Sequence, residues 1–428
     1  MRCFLSSLFL LSPFLLASCT AETTEERNVE DDHRAPEAMS AKAEHGFWKS
    51  PNETYVATEW PVDDDDLKFW DVPELEEAFI DLAPAPRGDG IAVGELGVDG
   101  GNEDMIVQLA KEIAEGQHDN HDSLLIVHKG KLLFESYYRW GRVNLTHPQA
   151  SATKTYTGLA LGRAIQLGYL TMADLDKPVV SFLNDLDPSK FVEGAELITL
   201  HQALTMRTGF TLSDEQREAL EKDPSQIEGQ HFVQALLEQS APITRDSQSA
   251  FKYGNYGPPL VMQVIDAVVP GTAEDFIKDE VFGKMGITTY RWLQGPDGLP
   301  AAGWKSSFTS RSMAKVGILA MNKGKWNGEQ LVPEAYIRKA TSRIVKNGDD
   351  DIFGGGKDVS NQGYGYYWWS GDLKSGDKTY FSASAQGGGG QFIVLIEELD
   401  LIVVVTSHVR HPSTLQLTAE RILPAFIE

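Results

Sequence analysis

Ser151 and Lys154, in the stretch Ser151-Ala152-Thr153-Lys154-Thr155-Tyr156-Thr157-Gly158, are the first pair in this chain whose types and spacing chemistry can use. A serine hydroxyl is a weak nucleophile at neutral pH until a neighbouring base takes its proton, and a desolvated lysine can be that base. If the chain turns helical at Ser151, residues three apart share a face and the amine lies one turn above the hydroxyl. Backbone N–H groups at a helix N-terminus also favour negative charge beside the serine. The run from Leu159 to Ile165 is small and apolar, so this helix should be buried with the lysine at its head. Ser-x-x-Lys by itself also recurs by chance on solvated helices, so the pair needs company.

The company comes from two distant places. Lys252-Tyr253-Gly254-Asn255-Tyr256 lies in a turn just before the apolar stretch Pro258 to Val268. A phenol has a reference pKa of about 10 and acts as a base only when positive neighbours lower it, as Lys154 would. The Asn255 amide can bond both that lysine and a substrate carbonyl. Taken alone, Tyr-Gly-Asn is simply a turn. The second place is the glycine run Gly387-Gly388-Gly389-Gly390. Competing chemistries find no foothold: there is no Gly-x-Ser-x-Gly elbow, no His-Glu-x-x-His and no phosphate-binding loop. His118-Asp119-Asn120-His121-Asp122 has a metal-like look but lacks a second ligand cluster nearby and reads as an exposed loop. Neither a metal nor an organic cofactor is expected.

The elements that must position these residues are legible in the hydrophobic pattern. Met105, Ile106, Leu109 and Ile113 give a helical period over Glu103 to Glu115. A hairpin follows, from Leu124-Leu125-Ile126-Val127 through a turn at His128-Lys129-Gly130-Lys131 to Leu132 and Tyr137. Residues from about 165 to 290 read as helical, with Thr199 capping one helix that Gly209 stops. Thr309 caps another through Met321, and Pro333 to Thr341 supplies a third. Asn347 to Gly363 reads as a loop. Strands are expected at Tyr364 to Trp369, Thr379 to Ala385, Gln391 to Ile396 and Leu401 to Ser407, with an amphipathic helix from Thr414 to Phe426. Tyr366, Trp368 and Trp369 either line an acyl pocket or fill the core.

Length and charge bound the rest. With 428 residues, 42% hydrophobic and 23% charged, the chain can build one large or two modest cores. A formal charge of −24 argues against nucleic acid and anionic lipid surfaces as partners. Arg2 precedes an apolar run from Phe4 to Leu16 that is too short to span a membrane and reads as an export signal. Thr20 to about His45 is a polar, acidic stretch with the character of a solvated tether, and Phe47 to Pro86 reads as an irregular arm. Asp63 to Asp66 is a second solvated acidic run rather than a calcium site.

Two resemblances extend this reading. Leu16-Ala17-Ser18-Cys19 resembles a bacterial lipobox, which implies lipidation of Cys19, removal of Cys3 with the signal, and anchoring in a Gram-negative envelope, with Thr20 pointing to the outer membrane. The alternative is an ordinary secretory signal with an incidental cysteine. Ser151-x-x-Lys154, Tyr253-x-Asn255 and the glycine-rich edge at Gly387 to Gln391, in that order, resemble the serine β-lactamase and penicillin-binding-protein superfamily. The likeness is greatest to the branch of class C β-lactamase-like esterases, DD-peptidase-like hydrolases and 6-aminohexanoate-dimer hydrolases. Leu204-Thr205-Met206-Arg207-Thr208-Gly209 and the stretch from Trp326 to Ala335 resemble that branch as well, and Trp304 stands where relatives commonly have glycines near the site, which implies a narrowed cleft.

The resemblance implies an α/β (α+β) fold in which an antiparallel sheet flanked by helices carries an inserted all-helical domain. The expected layout is a signal over 1–18, a tether over 19–46, an arm and the first part of the α/β domain over 47–164, helices over 165–290, and the second α/β part over 291–428. It implies Ser151 as acylated nucleophile, Lys154 as base or proton relay, Tyr253 as base for acylation and acid toward the leaving group, and Asn255 as positioner. The oxyanion hole would join the Ser151 N–H to the strand carrying Ser384, Ala385, Gln386 and Gly387, with Gln386, Gly387 and Gly388 against the substrate. One departure stands out: relatives open the third motif with lysine or histidine, and this chain has no cation there unless His408 or Arg410 substitutes. An ester or small neutral amide is therefore the expected substrate, ahead of a peptidoglycan peptide or β-lactam. A non-catalytic acylated sensor lipoprotein is the third reading.

Overall fold

The computed structural model describes residues 72–222, 227–347 and 353–427. The export signal, Cys19, the acidic tether and most of the N-terminal arm lie outside the described residues.

Ten strands form the main sheet: β1 (Phe79–Asp81), β2 (Ala92–Val93), β3 (His121–His128), β4 (Lys131–Tyr137), β5 (Val345–Lys346), β6 (Val359–Tyr364), β7 (Trp369–Ser375), β8 (Lys378–Gly387), β9 (Gln391–Ile396) and β10 (Leu401–Ser407). Their spatial order is β1-β4-β3-β10-β9-β8-β7-β6-β5, with β2 on β4 as a parallel pair and the other pairs antiparallel. The last strand therefore returns to lie beside the first hairpin, pairing Val403 with Ile126. Both ends of the described chain build one sheet.

Both faces of that sheet are covered, which is why β3 and β10 read as unbroken apolar runs instead of alternating ones. Side chains alternate faces along a strand. Leu124, Ile126, Val403 and Val405 pack in a core with helix α1 (Glu103–Ala114) and the C-terminal segment. Leu125, Val127, Ile402 and Val404 face the other way, toward α2 (Thr153–Gln166), α3 (Gly257–Val268) and α4 (Ser310–Met321). Between Leu167 and Gly286 the described residues hold helices, 3-10 turns and loops, with only the isolated bridge Pro178↔Thr199.

Every residue of α2 from Thr153 to Ile165 is buried. Small residues allow this: a Cβ on Gly162 would come within 2.6 Å of Val332 and 2.9 Å of Tyr336, and Tyr336 donates to the Gly158 carbonyl at 2.8 Å. The segment from Trp326 to Ala340 thus packs on the helix that carries Lys154.

A buried ion pair ties α4 to the sheet. Arg311 donates through Nε to both oxygens of Glu135, at 2.9 and 3.1 Å, and Tyr137 donates to the same carboxylate at 2.6 Å. Removing one partner leaves the other charge buried and uncompensated. Glu135→Ala should therefore lower stability by about 3–5 kcal/mol, read as a fall in the urea midpoint.

Several elements differ from the sequence pattern. Tyr364 to Trp369 is no strand: β6 ends at Tyr364, the chain reverses through Tyr367 at φ 60°, and β7 begins at Trp369. β6 itself occupies residues expected to be loop. A strand, β1, lies in the arm that looked irregular. The C-terminal amphipathic stretch is broken by a wider π turn over Thr418–Ile422. The helix near the nucleophile starts at Thr153, after a 3-10 turn over Ala150–Ala152. Thr199 and Thr309 do cap their helices, accepting from the N–H of Gln202 and Ser312 at 3.2 and 3.1 Å.

Candidate active site

Ser151 sits in the 3-10 turn that leads into α2, directly after Ala150, which has a left-handed backbone at φ 45°. That conformation is uncommon for a residue with a Cβ and persists where the surroundings enforce it. Here they do. Thr153 Oγ1 donates to the Ala150 carbonyl at 2.7 Å, and Tyr156 donates to the buried Gln149 amide oxygen at 2.7 Å. Gln149 in turn donates to the His147 carbonyl at 2.9 Å. The turn is locked from below.

Lys154 is 1% exposed, with Nζ 3.2 Å from Ser151 Oγ and 3.0 Å from the Gly303 carbonyl. Among the described residues no carboxylate pairs with it. Burial therefore penalises its charged form without compensation and pushes its pKa down to about 7. A lysine that is half neutral at neutral pH can accept the serine proton.

The Tyr253 phenol hydrogen-bonds Ser151, and Lys154 Nζ lies 4.9 Å from the centre of its ring. The ring is held by Trp369 and Tyr364 at 5.0 and 6.1 Å between centroids. The turn carrying it is pinned where the Lys252 N–H donates to the carbonyl of Met206, itself left-handed at φ 57°. Leu204 to Gly209 thus acts as a backbone brace for Tyr253. The expectation that Lys154 would lower the phenol does not hold: burial pushes Tyr253 up to about 12, outweighing the bond to Ser151.

Asn255 is exposed and faces Gly303, where a Cβ would stand 3.2 Å from the Asn255 Oδ1 and 3.5 Å from Lys154 Nζ. Gly303 thus lies in the site, beside the Trp304 that the sequence placed at a cleft. The exposed Trp304 follows it, beneath Lys305 at 5.0 Å. Of the other aromatics considered for a pocket, Tyr366 and Trp368 are core, and Trp369 packs on Tyr253.

The glycine edge meets the nucleophile turn from the far side. A Cβ on Gly387 would lie 2.1 Å from the Gln149 carbonyl oxygen, and one on Gly388 would lie 3.9 Å from Ala150. Gly387→Ala must push back the backbone that sets Ser151. A displacement of about 1 Å at a reacting group costs on the order of 10²-fold in rate. The variant should lose at least that in kcat/KM, with circular dichroism checking the fold.

The pairing Gln386↔Phe392 fixes which side chains face Ser151. Ala383 and Ala385 share the α2 side with Gly387, whereas Ser384 and Gln386 oppose Val394 and Phe392 on the other face. Gln386 Nε2 donates to Ser384 Oγ at 2.8 Å, so its side chain lies on the face away from the nucleophile. Ala385, fully buried, stands two residues before the glycine on the site-facing side. His408 does not substitute as a free cation, being bonded to Asp122 at 2.5 Å. Arg410 is exposed, next to Val409, whose N–H bonds the Gly389 carbonyl.

Comparison with known proteins places this geometry. No functionally curated protein matches the chain. Among solved structures, a candidate 6-aminohexanoate-dimer hydrolase from Bacillus anthracis has a TM-score of 0.54 at 17% identity, covering 87% of this chain and 96% of that one. The octameric penicillin-binding protein homologue from Pyrococcus abyssi has a TM-score of 0.54 at 18% identity, covering 74% and 76%. A class C β-lactamase variant has a TM-score of 0.53 at 14% identity, covering 75% and 95%. At these identities the likeness is one of fold, an antiparallel sheet with flanking helices as the resemblance implied. The Beta-lactamase family model matches residues 107–425, most of the chain, and the protein belongs to that family of the serine hydrolase superfamily.

Proposed function

We propose that this protein hydrolyses esters and small neutral amides through an acyl-enzyme on Ser151. The observation that carries the substrate class is the strand at the third motif, where Ser384, the fully buried Ala385 and Gln386 offer no cation to hold a substrate carboxylate. Neutral Lys154 takes the Ser151 proton as Oγ attacks the acyl carbonyl. The Ser151 N–H and the end of β8 hold the oxyanion, while Tyr253 protonates the departing oxygen or nitrogen. Water then cleaves the acyl-enzyme. Asn255 positions the substrate carbonyl.

The test is turnover of p-nitrophenyl esters of graded acyl length against nitrocefin, with Ser151→Ala as control. Ester turnover that is lost in the variant, with nitrocefin untouched, is the expected result. Nitrocefin hydrolysis, or penicillin held covalently on Ser151, would favour a DD-peptidase or weak β-lactamase. The exposed Arg410 beside the glycine run is what supports that second reading.

We also propose that a lipid on Cys19 anchors the protein in the bacterial envelope, on the strength of the lipobox resemblance. Labelled fatty acid should enter the wild type and not Cys19→Ser.

A further inference from the structure

Behind the nucleophile turn lies a second cluster that the hydrolytic chemistry does not use. Asp122, in β3, is fully buried, and His147 lies four residues before Ser151 at 3% exposure. His408 directly follows β10 and is partly exposed. Their ligating atoms all lie within 4.8 Å of one another. His147 Nε2 and His408 Nδ1 approach the same oxygen, Asp122 Oδ2, at 3.1 and 2.5 Å. The other oxygen, Oδ1, is buried with no hydrogen-bond partner. Arg142, whose charge acts on Asp122, spends its terminal nitrogens on the carbonyls of Arg139, Gly141 and Pro73.

The proton positions are informative. His147 Nδ1 is 3.1 Å from the Pro148 carbonyl, which can only accept, so Nδ1 carries the hydrogen. A neutral ring then turns the Nε2 lone pair toward the lone pairs of a carboxylate oxygen. Something positive must lie between them. A proton or a divalent cation can take that place. Metal-bound histidines usually donate their other N–H to a backbone carbonyl or carboxylate.

We propose that Asp122, His147 and His408 form a zinc-type metal site with its fourth position open to water. Two imidazoles and one carboxylate suit Zn²⁺. A tetrahedron with bonds of about 2.0–2.1 Å has edges of about 3.3 Å. The Asp122–His147 edge already matches at 3.1 Å, and the Asp122–His408 edge must open by about 0.8 Å. His408, the partly exposed ligand past a strand end, is the one able to move. The site's place in the fold gives it a bracing role. It ties β3 and the approach to Ser151 to the end of β10, where Ser407 donates to the Gly389 carbonyl at 2.8 Å and Gln391 donates to the Ser407 carbonyl at 2.8 Å. Both sides of the oxyanion position are thus linked through one ion.

The test uses the full-length, untagged chain, stripped with EDTA, dialysed with Zn²⁺ and then against metal-free buffer. Elemental analysis should find about one zinc per wild-type chain and less than a tenth as much in His408→Ala. Co²⁺ should give the visible bands of a tetrahedral centre, saturating at one equivalent in wild type and absent in the variant. Zinc at a hundredfold excess over Kd should raise the Tm of the stripped wild type by about 3 °C. A wild type that retains no metal and shows no Tm shift overturns the proposal, as does a His408→Ala that keeps its zinc. If circular dichroism shows His408→Ala unfolded, the wild-type stoichiometry and Tm shift decide the matter, because neither needs the variant.

Discussion

Lys154→Met is expected to lower ester turnover by about 10⁴-fold and to stabilise the fold in the same variant. The loss follows from removing the base 3.2 Å from Ser151 Oγ, since no other described basic group is bonded to that hydroxyl. The gain follows from linkage. Burial moves the lysine from 10.5 in the unfolded chain to about 7 in the fold. Between those values the unfolded chain binds the proton and the folded one does not. The penalty is therefore full below pH 7, falls as pH rises, and is gone above the unfolded value. At about 1.4 kcal/mol per pKa unit it amounts to roughly 5 kcal/mol in full and about 4 kcal/mol at pH 7. Methionine escapes it but forfeits the bond to the Gly303 carbonyl, worth about 1 kcal/mol. A net gain of about 3 kcal/mol remains. Urea unfolding checks this: the variant should exceed wild type at pH 7 and lose most of that lead by pH 10. Wild-type kcat/KM should rise with unit slope through about pH 7 and then level, as Lys154 loses its proton. A variant no more stable than wild type at pH 7 would mean that the lysine is not desolvated in solution.

Part of this was legible in the sequence because it is local. Ser151 and Lys154 lie three residues apart, and Thr199 and Thr309 cap helices that begin one residue later. The apolar runs of β3 and β10 marked both as strands. What the sequence hid depends on contacts made across the chain. Gly303 reaches Lys154 over 149 residues, and the sequence singled out its neighbour Trp304 rather than the glycine whose carbonyl meets the amine. The side on which Gln386 falls is set by its pairing with Phe392, because a shift of one residue exchanges the faces. Tyr364 to Trp369 carries strand-forming residues throughout, yet tertiary bonds fold it back: the Tyr367 carbonyl accepts from Thr155 at 2.7 Å. Asp122 had the look of a loop acid, and its partners are 25 and 286 residues away.

Tyr253→Phe should separate substrates by leaving group. A phenol pushed up to about 12 holds its proton across the working pH range, so Tyr253 enters the reaction as a donor rather than as a phenolate. Lys154 is the partner that can be deprotonated near neutrality. The division of labour places the lysine on the first proton transfer and the tyrosine on the second, with Ser151 bonded to both. A p-nitrophenolate departs without help, because it is stable as an anion. An alkoxide or amine must be protonated as it leaves, and a positioned acid contributes about 10²–10⁴-fold. The variant should thus lose less than about tenfold on p-nitrophenyl esters and about 10²–10³-fold on ethyl esters of the same acid. Phenylalanine keeps the ring contacts with Trp369 and Tyr364, so loss of the fold is not the expected cause. Measuring kcat/KM along a series of alcohols of rising pKa gives the slope directly. A steeper dependence in the variant than in wild type identifies Tyr253 as the acid, and parallel lines would move that role to Lys154 returning the proton it took from Ser151.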